Sequence, residues 1–168
     1  VTRLDRDTFG VVLMAKNAHI HALMNELHNA GVIEKIYHAL VLGNPQEDEG
    51  MIDAPIDRRP LPSLLRFVGP DGKPSRTAFR VLERNGDLCK LALRPITGRT
   101  HQLRVHCAYM GFPILGDPQY GSEASMIRSR SSLFIPDTSM FWSRSEVPGI
   151  PEHIVGRAPA AVHILVRQ

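Results

Sequence analysis

The feature that most constrains this fold is an Asn85-Gly86 pair between two strand-like segments, residues 77–84 and 88–94. Asn-Gly between such segments is the strongest short-range signal for a two-residue hairpin turn, which joins neighbouring antiparallel strands. We therefore predict an antiparallel hairpin that ends near Pro95. Because strands and helices do not alternate regularly along the chain, the pattern argues against a purely parallel sheet.

Other segments predict further strands and two helices around this hairpin. A first helix is predicted after Asn17, which can cap it, and Gly31 can end it. A second helix is predicted at about residues 101–110, with Thr100 as its cap and Gly111 as its stop signal. The remaining predicted strands are residues 11–15, 34–42, 50–53, 64–67 and 161–166. We predict an α+β fold with a mixed, mostly antiparallel sheet flanked by helices.

Composition places the chain among single globular domains. Its 168 residues are 43% hydrophobic and 22% charged, which argues against disordered, collagen-like and coiled-coil proteins. No apolar run approaches the roughly 20 residues that a membrane helix needs, so we predict no membrane association. The chain does not begin with Met or with a basic and apolar leader, so we expect a cytoplasmic protein and a fragment or processed chain. Cys89 and Cys107 lack Cys-x-x-Cys spacing, and we expect buried thiols rather than a disulfide framework or a structural zinc site.

An acidic residue flanked by arginines lies near the start of the chain. Asp5 stands between Arg3 and Arg6, and Gly10 follows before the apolar residues 11–15. Neighbouring positive charge favours the ionised carboxylate, which can serve as a nucleophile or a general base. The same pattern is also typical of a surface turn with local ion pairs, and the segment alone does not distinguish the two.

A second polar segment, residues 97–106, leads from a glycine turn into the predicted second helix. It carries Arg99, His101, Gln102, Arg104 and His106. Helix N-termini and arginines both attract anions, which favours a phosphate or RNA site. A capped helix with solvated basic side chains fits the segment about equally well.

Four motifs in order resemble the RluA-type family of pseudouridine synthases, which convert uridine to pseudouridine in structured RNA. The motifs are Arg3-Leu4-Asp5 with Thr8 and Gly10, Lys35-Ile36-Tyr37-His38-Ala39-Leu40-Val41, residues 97–106, and Gly111-Phe112-Pro113-Ile114-Leu115-Gly116-Asp117. The resemblance runs from residue 2 to about residue 121. We therefore expect a catalytic core at 1–121, with 122–168 as a poorly matched continuation of the same domain.

The resemblance implies a role for three residues in catalysis. Asp5 would be the nucleophile that attacks the uridine at ribose C1′ or at uracil C6. Arg104 would pair with Asp5 and keep it ionised. Tyr37 would lie against the flipped uracil and could exchange a proton, although a core position on its strand also explains it. The resemblance implies no metal and no organic cofactor.

The resemblance also implies that RNA, either rRNA or tRNA, is the partner. Arg3 would help to hold the target nucleotide out of the stack, and Arg6, Arg99, His101 and Gln102 would contact RNA. A net charge of +3 permits a polyanionic partner. We predict a monomer with no obligatory protein partner, and residues 43–77 are expected to form the loops that select the RNA.

Two other classes of protein remain open. The family has further strands before the aspartate motif, so this chain can also be a noncatalytic RNA-binding relative or an inactive fragment of such an enzyme. A structural or protein-interaction domain with solvated basic residues is the third possibility. Replacing Asp5 by Asn separates the first two, because it should abolish product and spare RNA binding.

Overall fold

The computed structural model describes Asp5, Thr8 and the residues of 12–131 and 163–167. The longest helix in this part of the chain has 12 residues, and no helix there is long and apolar enough to cross a membrane. In chain order the elements are α1 (Ala18–Asn29), β1 (Glu34–Leu42), β2 (Glu49–Asp53), β3 (Ile56–Arg58), β4 (Arg66–Val68), β5 (Arg76–Asn85), β6 (Leu88–Pro95), α2 (Gln102–Tyr109), α3 (Glu123–Ser131) and β7 (His163–Arg167).

The main sheet has the strand order β2-β5-β6-β1-β7, and every neighbouring pair is antiparallel. Strands β3 and β4 form a separate antiparallel pair. The predicted hairpin is confirmed: Asn85 pairs with Leu88, and Gly86 adopts the left-handed conformation (φ +61°) that such a turn needs. The prediction of an α+β fold with a mostly antiparallel sheet is therefore confirmed.

The core lies against β1, β5 and β6, where alternating side chains point to the same side. Ala39 and Val41 of β1 are fully buried together with Leu91 and Leu93 of β6. Helix α2 contributes Cys107 to the same cluster. Both cysteines are buried free thiols, as predicted. This core fixes the position of β1 beside the end of β6, and the candidate site forms there.

Two local predictions are wrong. Residues 12–15 form no strand, and Val12 and Met14 are 45% and 82% exposed; residue 11 lies outside the described residues. Thr100 does not cap α2. The cap position is His101, which adopts a left-handed conformation (φ 56°) and makes no capping bond through its side chain.

The other predicted elements are present, with small shifts in their ends. The strand predicted at 64–67 is β4, Arg66–Val68, and the one predicted at 161–166 is β7, His163–Arg167. Helix α1 begins at the predicted cap, because the Asn17 side chain accepts a hydrogen bond of 2.9 Å from the Ile20 backbone N–H. Strand β3 and helix α3 were not predicted.

Candidate active site

A cleft of about 350 Å³ lies where the end of β6 meets β1 and the start of α2. Strand β1 brings Tyr37 next to β6, whose following loop carries residues 96–101; Tyr37 pairs with Leu93 in the sheet. Six of the eight predicted site residues line this cleft: Asp5, Tyr37, Arg99, His101, Gln102 and Arg104. The other two, Arg3 and Arg6, lie outside the described residues.

Asp5 and Arg104 face each other at a distance longer than a hydrogen bond. Arg104 Nη1 lies 3.9 Å from Asp5 Oδ2. At this separation the two groups attract each other by charge, but they are not hydrogen-bonded. The Asp5 side chain is 38% exposed, so it remains accessible to a substrate in the cleft.

The principal partner of Arg104 is Asp117, a residue to which the sequence analysis assigned no role. Arg104 Nε donates to Asp117 Oδ2 at 2.7 Å and Nη2 donates to Oδ1 at 2.8 Å, a two-pronged geometry. Nη2 also donates to Gln119 Oε1 at 2.9 Å, and the guanidinium carbon lies 4.8 Å from the centre of the Tyr120 ring. These contacts leave Nη1 as the nitrogen that faces Asp5.

Both members of this buried pair stay charged. Burial raises the pKa of Asp117, but hydrogen bonds from Arg104 and from two backbone N–H groups outweigh it and lower the pKa overall. Burial lowers the pKa of Arg104, and the hydrogen bond and charge of Asp117, with the charge of Asp5, more than offset this effect. The guanidinium is therefore a permanent positive charge beside Asp5.

His101 is held by Tyr120 in a neutral form. Tyr120 Oη accepts a hydrogen bond from the Arg66 backbone N–H at 3.0 Å and lies 2.7 Å from His101 Nδ1. Either group can supply the proton of this hydrogen bond, because a phenol and a neutral imidazole can each donate or accept. Burial lowers the pKa of His101, the negative charge of Asp5 opposes this effect, and the positive charges of Arg104 and Arg66 add to it. The lowered pKa favours the neutral imidazole over the cation at neutral pH.

Gln102 is the buried anchor of the loop that carries Arg99. Its Nε2 donates to Arg76 O and to Thr77 Oγ1, each at 2.9 Å. Its Oε1 accepts from Thr97 Oγ1 at 2.7 Å and from the Arg99 backbone N–H at 3.0 Å. Both donors and both acceptor positions of the amide are used, and the residue is 4% exposed. Gln102 thus positions the loop, and the direct RNA contact expected from the sequence stays a prediction that this network does not favour.

Tyr37 combines the two interpretations considered for it. It is half-buried against the hydrophobic core and lines the cleft at the same time. Burial raises the pKa of Tyr37, and the negative charge of Asp5 raises it further. The phenol is therefore protonated at neutral pH and presents a ring and an O–H group to the cleft.

Asp117 and Tyr120 are the residues that sequence reasoning missed. Asp117 belongs to the last of the four motifs, so its motif was found although its contact with Arg104 was not. In the described part of the chain, no three His, Cys, Asp or Glu side chains come together in a way that could hold a metal ion.

Comparison with known proteins identifies the family to which this chain belongs. The sequence profile of the family described as RNA pseudouridylate synthase matches residues 1–109, more than half of the chain. The chain therefore belongs to the RNA pseudouridylate synthase family. It is 29% identical to human RNA pseudouridylate synthase domain containing 1, with a TM-score of 0.70 over 99% of this chain and 62% of that one.

Bacterial relatives are more similar in sequence. The chain is 41% identical to an uncharacterized RNA pseudouridine synthase of Chloroflexus aurantiacus, over 100% of this chain and 52% of the relative. It is 40% identical to ribosomal large subunit pseudouridine synthase C of Vibrio cholerae, over 72% of this chain and 38% of the relative. The chain thus spans about half, or less, of the length of these curated relatives.

Proposed function

We propose that this chain carries the catalytic core of an RNA pseudouridine synthase that isomerises uridine in structured RNA. The observation that carries the proposal is the meeting of Asp5, Tyr37 and Arg104 in one cleft, with Arg104 Nη1 directed at the Asp5 carboxylate. The name of the Vibrio relative favours rRNA over tRNA as the first substrate to test.

The proposed reaction needs a flipped uridine in the cleft. The bond from ribose C1′ to uracil N1 breaks and a bond from C1′ to C5 forms, while C5 loses a proton and N1 gains one. This balance requires no oxidant, reductant or cofactor. The Asp5 carboxylate serves as the nucleophile, at C1′ or at uracil C6, and holds one part of the nucleotide while the base turns.

Arg104 acts on the Asp5 nucleophile, and Tyr37 acts on the uracil base. The fixed guanidinium lies beside the Asp5 carboxylate and offsets part of its negative charge. Because the Tyr37 phenol is protonated, its first contribution is a ring surface for the extruded base. Its hydroxyl can donate a proton to uracil N1 after the C1′–N1 bond breaks, and the phenolate that results can then accept the C5 proton.

We propose that the basic residues near the cleft contact the RNA strand on either side of the flipped base. Arg99 is exposed, and its Nε donates to Pro74 O at 3.2 Å, so its other guanidinium nitrogens are available to a phosphate. His101 can add a hydrogen bond to the RNA through Nε2. Arg3 and Arg6 remain proposed RNA contacts on the basis of the family motif. We further propose that the protein acts as a monomer in the cytoplasm.

The test is pseudouridine formation by the protein and by its Asp5→Asn variant. Large-subunit rRNA transcripts labelled with tritium at uridine C5 release tritium to water when the C5 proton is lost. We expect release by the parent protein, none by Asp5→Asn, and equal RNA binding by both. Tritium release by the variant would exclude Asp5 as the nucleophile.

A noncatalytic RNA-binding relative is the second candidate. The observation that favours it is the 3.9 Å separation of Arg104 and Asp5, since the guanidinium makes its hydrogen bonds to Asp117 and Gln119 instead. This candidate predicts RNA binding by the parent protein, with weaker binding at higher salt, and no tritium release.

A further inference from the structure

A third cationic side chain lines the cleft beside Arg99 and Arg104, and it takes no part in the chemistry proposed above. Lys35 lies two residues before Tyr37 on β1, so the two side chains point to the same side of the strand. Their Cα atoms are separated by about 7 Å, the length of two strand residues. Lys35 therefore lies beside the surface proposed for the uracil.

Three arginines of the main sheet form ion pairs with carboxylates, and Lys35 differs from them. Arg76 pairs with Asp53, Arg84 with Asp48 and Arg94 with Glu34. Within the described ranges, no carboxylate lies within ion-pair distance of Lys35. Burial lowers the pKa of Lys35, and no neighbouring charge among the described residues opposes this effect. An anion bound in the cleft would supply an opposite charge.

His28 of α1 orients the Lys35 ammonium. Lys35 Nζ lies 3.2 Å from His28 Nε2, and His28 Nδ1 lies 3.3 Å from Ile33 O. The carbonyl can only accept, so the proton of the neutral imidazole is on Nδ1 and Nε2 accepts from the ammonium. One of the three ammonium donors is engaged in this way, and among the described residues the other two have no hydrogen-bond acceptor.

We propose that Lys35, held by His28, is a phosphate subsite that binds the RNA backbone on the β1 side of the cleft. The charges around it fit this ligand. Among the described residues that line the cleft, Lys35 and Arg99 are the cationic side chains outside the Arg104–Asp117 pair, and Asp5 is the one carboxylate, so positive charge is in excess. A phosphodiester is the RNA group that a compact ammonium recognises without selecting a base.

The position of the subsite rests on the proposed function, since Tyr37 marks where the base lies, but its test needs only binding. A fluorescein-labelled single-stranded RNA of uridines is titrated at KCl concentrations from about 50 to about 200 mM, where phosphate contacts control the salt dependence. The proteins compared are the parent, Lys35→Met, Lys35→Arg and Lys16→Met. Lys16 is an exposed lysine that does not line the cleft.

We expect Lys35→Met to weaken binding and to reduce the slope of log K against log salt by about 0.7, the value for one phosphate contact on a single strand. Lys35→Arg should keep the parent slope, and Lys16→Met should match the parent. Because Met retains the aliphatic stem and removes a partly desolvated charge, the midpoint of thermal unfolding should not fall.

An unchanged slope and affinity in Lys35→Met would overturn the subsite, and so would an equal loss in Lys16→Met. The outcome is separate from that of the proposed function. A salt effect at Lys35 in a protein that releases no tritium supports the subsite and removes the synthase. Tritium release with no effect of Lys35→Met on binding supports the synthase and overturns the subsite.

Discussion

Arg104 contacts two carboxylates through different nitrogens, and we expect the two carboxylates to have different functions. Nε and Nη2 are bound to Asp117, whose side chain is 4% exposed, while Nη1 faces the much more accessible Asp5. Removing one partner of a buried ion pair leaves an uncompensated charge, whereas an exposed pair contributes little to stability. Asp117 is therefore expected to hold the guanidinium in place, and Asp5 is left free to react.

Asp117→Asn tests this division. We expect it to lower the free energy of unfolding by about 3 kcal/mol, because the Arg104 charge loses its buried partner. Asp5→Asn is the matched control, and it should change the unfolding free energy by less than about 1 kcal/mol while abolishing tritium release. Urea unfolding of the two variants gives the comparison. Equal destabilisation by both would show that Asp117 is not the anchor of Arg104.

At the scale of elements, the loop between β6 and α2 is fixed by Gln102 rather than by a conventional helix cap. The Gln102 amide joins the start of β5, through Arg76 O and Thr77 Oγ1, to the Arg99 backbone. Thr77 Oγ1 also lies 2.9 Å from Nδ1 of the fully buried His106. The loop thus depends on contacts with β5, and its basic residues are placed by a network at its base.

Gln102→Leu should therefore affect RNA binding without removing a group that reacts. The substitution leaves buried polar partners unsatisfied, and we expect a loss of about 1–3 kcal/mol in unfolding free energy. The KM for rRNA should rise more than kcat falls, because Arg99 and His101 lose their fixed positions.

The matched control is Thr100→Ala in the same loop. It removes the cap predicted from the sequence, and since Thr100 does not cap α2, stability should change by less than about 0.5 kcal/mol. A large loss at Thr100 with little change at Gln102 would reverse the assignment.

At the scale of the whole molecule, the last strand of the chain, β7, completes the sheet beside β1. It pairs with β1 along its length, with Lys35 opposite Val166 and Tyr37 opposite Ile164. Without β7, the strand that carries Tyr37 would become the edge of the sheet, with unpaired backbone groups next to the cleft. The last strand therefore supports the backbone of β1 beside the cleft.

Deleting residues 163–168 is expected to lower the midpoint of thermal unfolding by at least about 4 °C, the shift produced by roughly 1–2 kcal/mol in a chain of this size. Tritium release should fall with it, because β1 loses one of its two neighbours. A deletion of Gln168 alone serves as the control and should leave both unchanged. An unaltered midpoint after removal of 163–168 would show that β7 does not stabilise the sheet.

The sequence by itself determined the features that depend on local signals. Asn85-Gly86 encodes the hairpin because few residue pairs adopt its turn, and Asn17 begins α1 because its side chain satisfies the Ile20 N–H. Ordered motifs were enough to identify the family and to select Asp5, Tyr37 and Arg104 as residues of one cleft. A local pattern was also wrong in one place, since the apolar residues 12–15 pair with no neighbouring strand among the described residues.

Tertiary structure alone decided which of the selected groups touch and which are free. Asp117 binds Arg104, the Gln102 amide uses its hydrogen bonds to hold a loop, and β7 lies beside β1. Each of these depends on the packing of segments that are distant along the chain or separated by a turn, and no local pattern specifies such a contact. Hydrogen-bond partners and desolvation follow from that packing, and they determine which side chains anchor the cleft and which remain available to RNA.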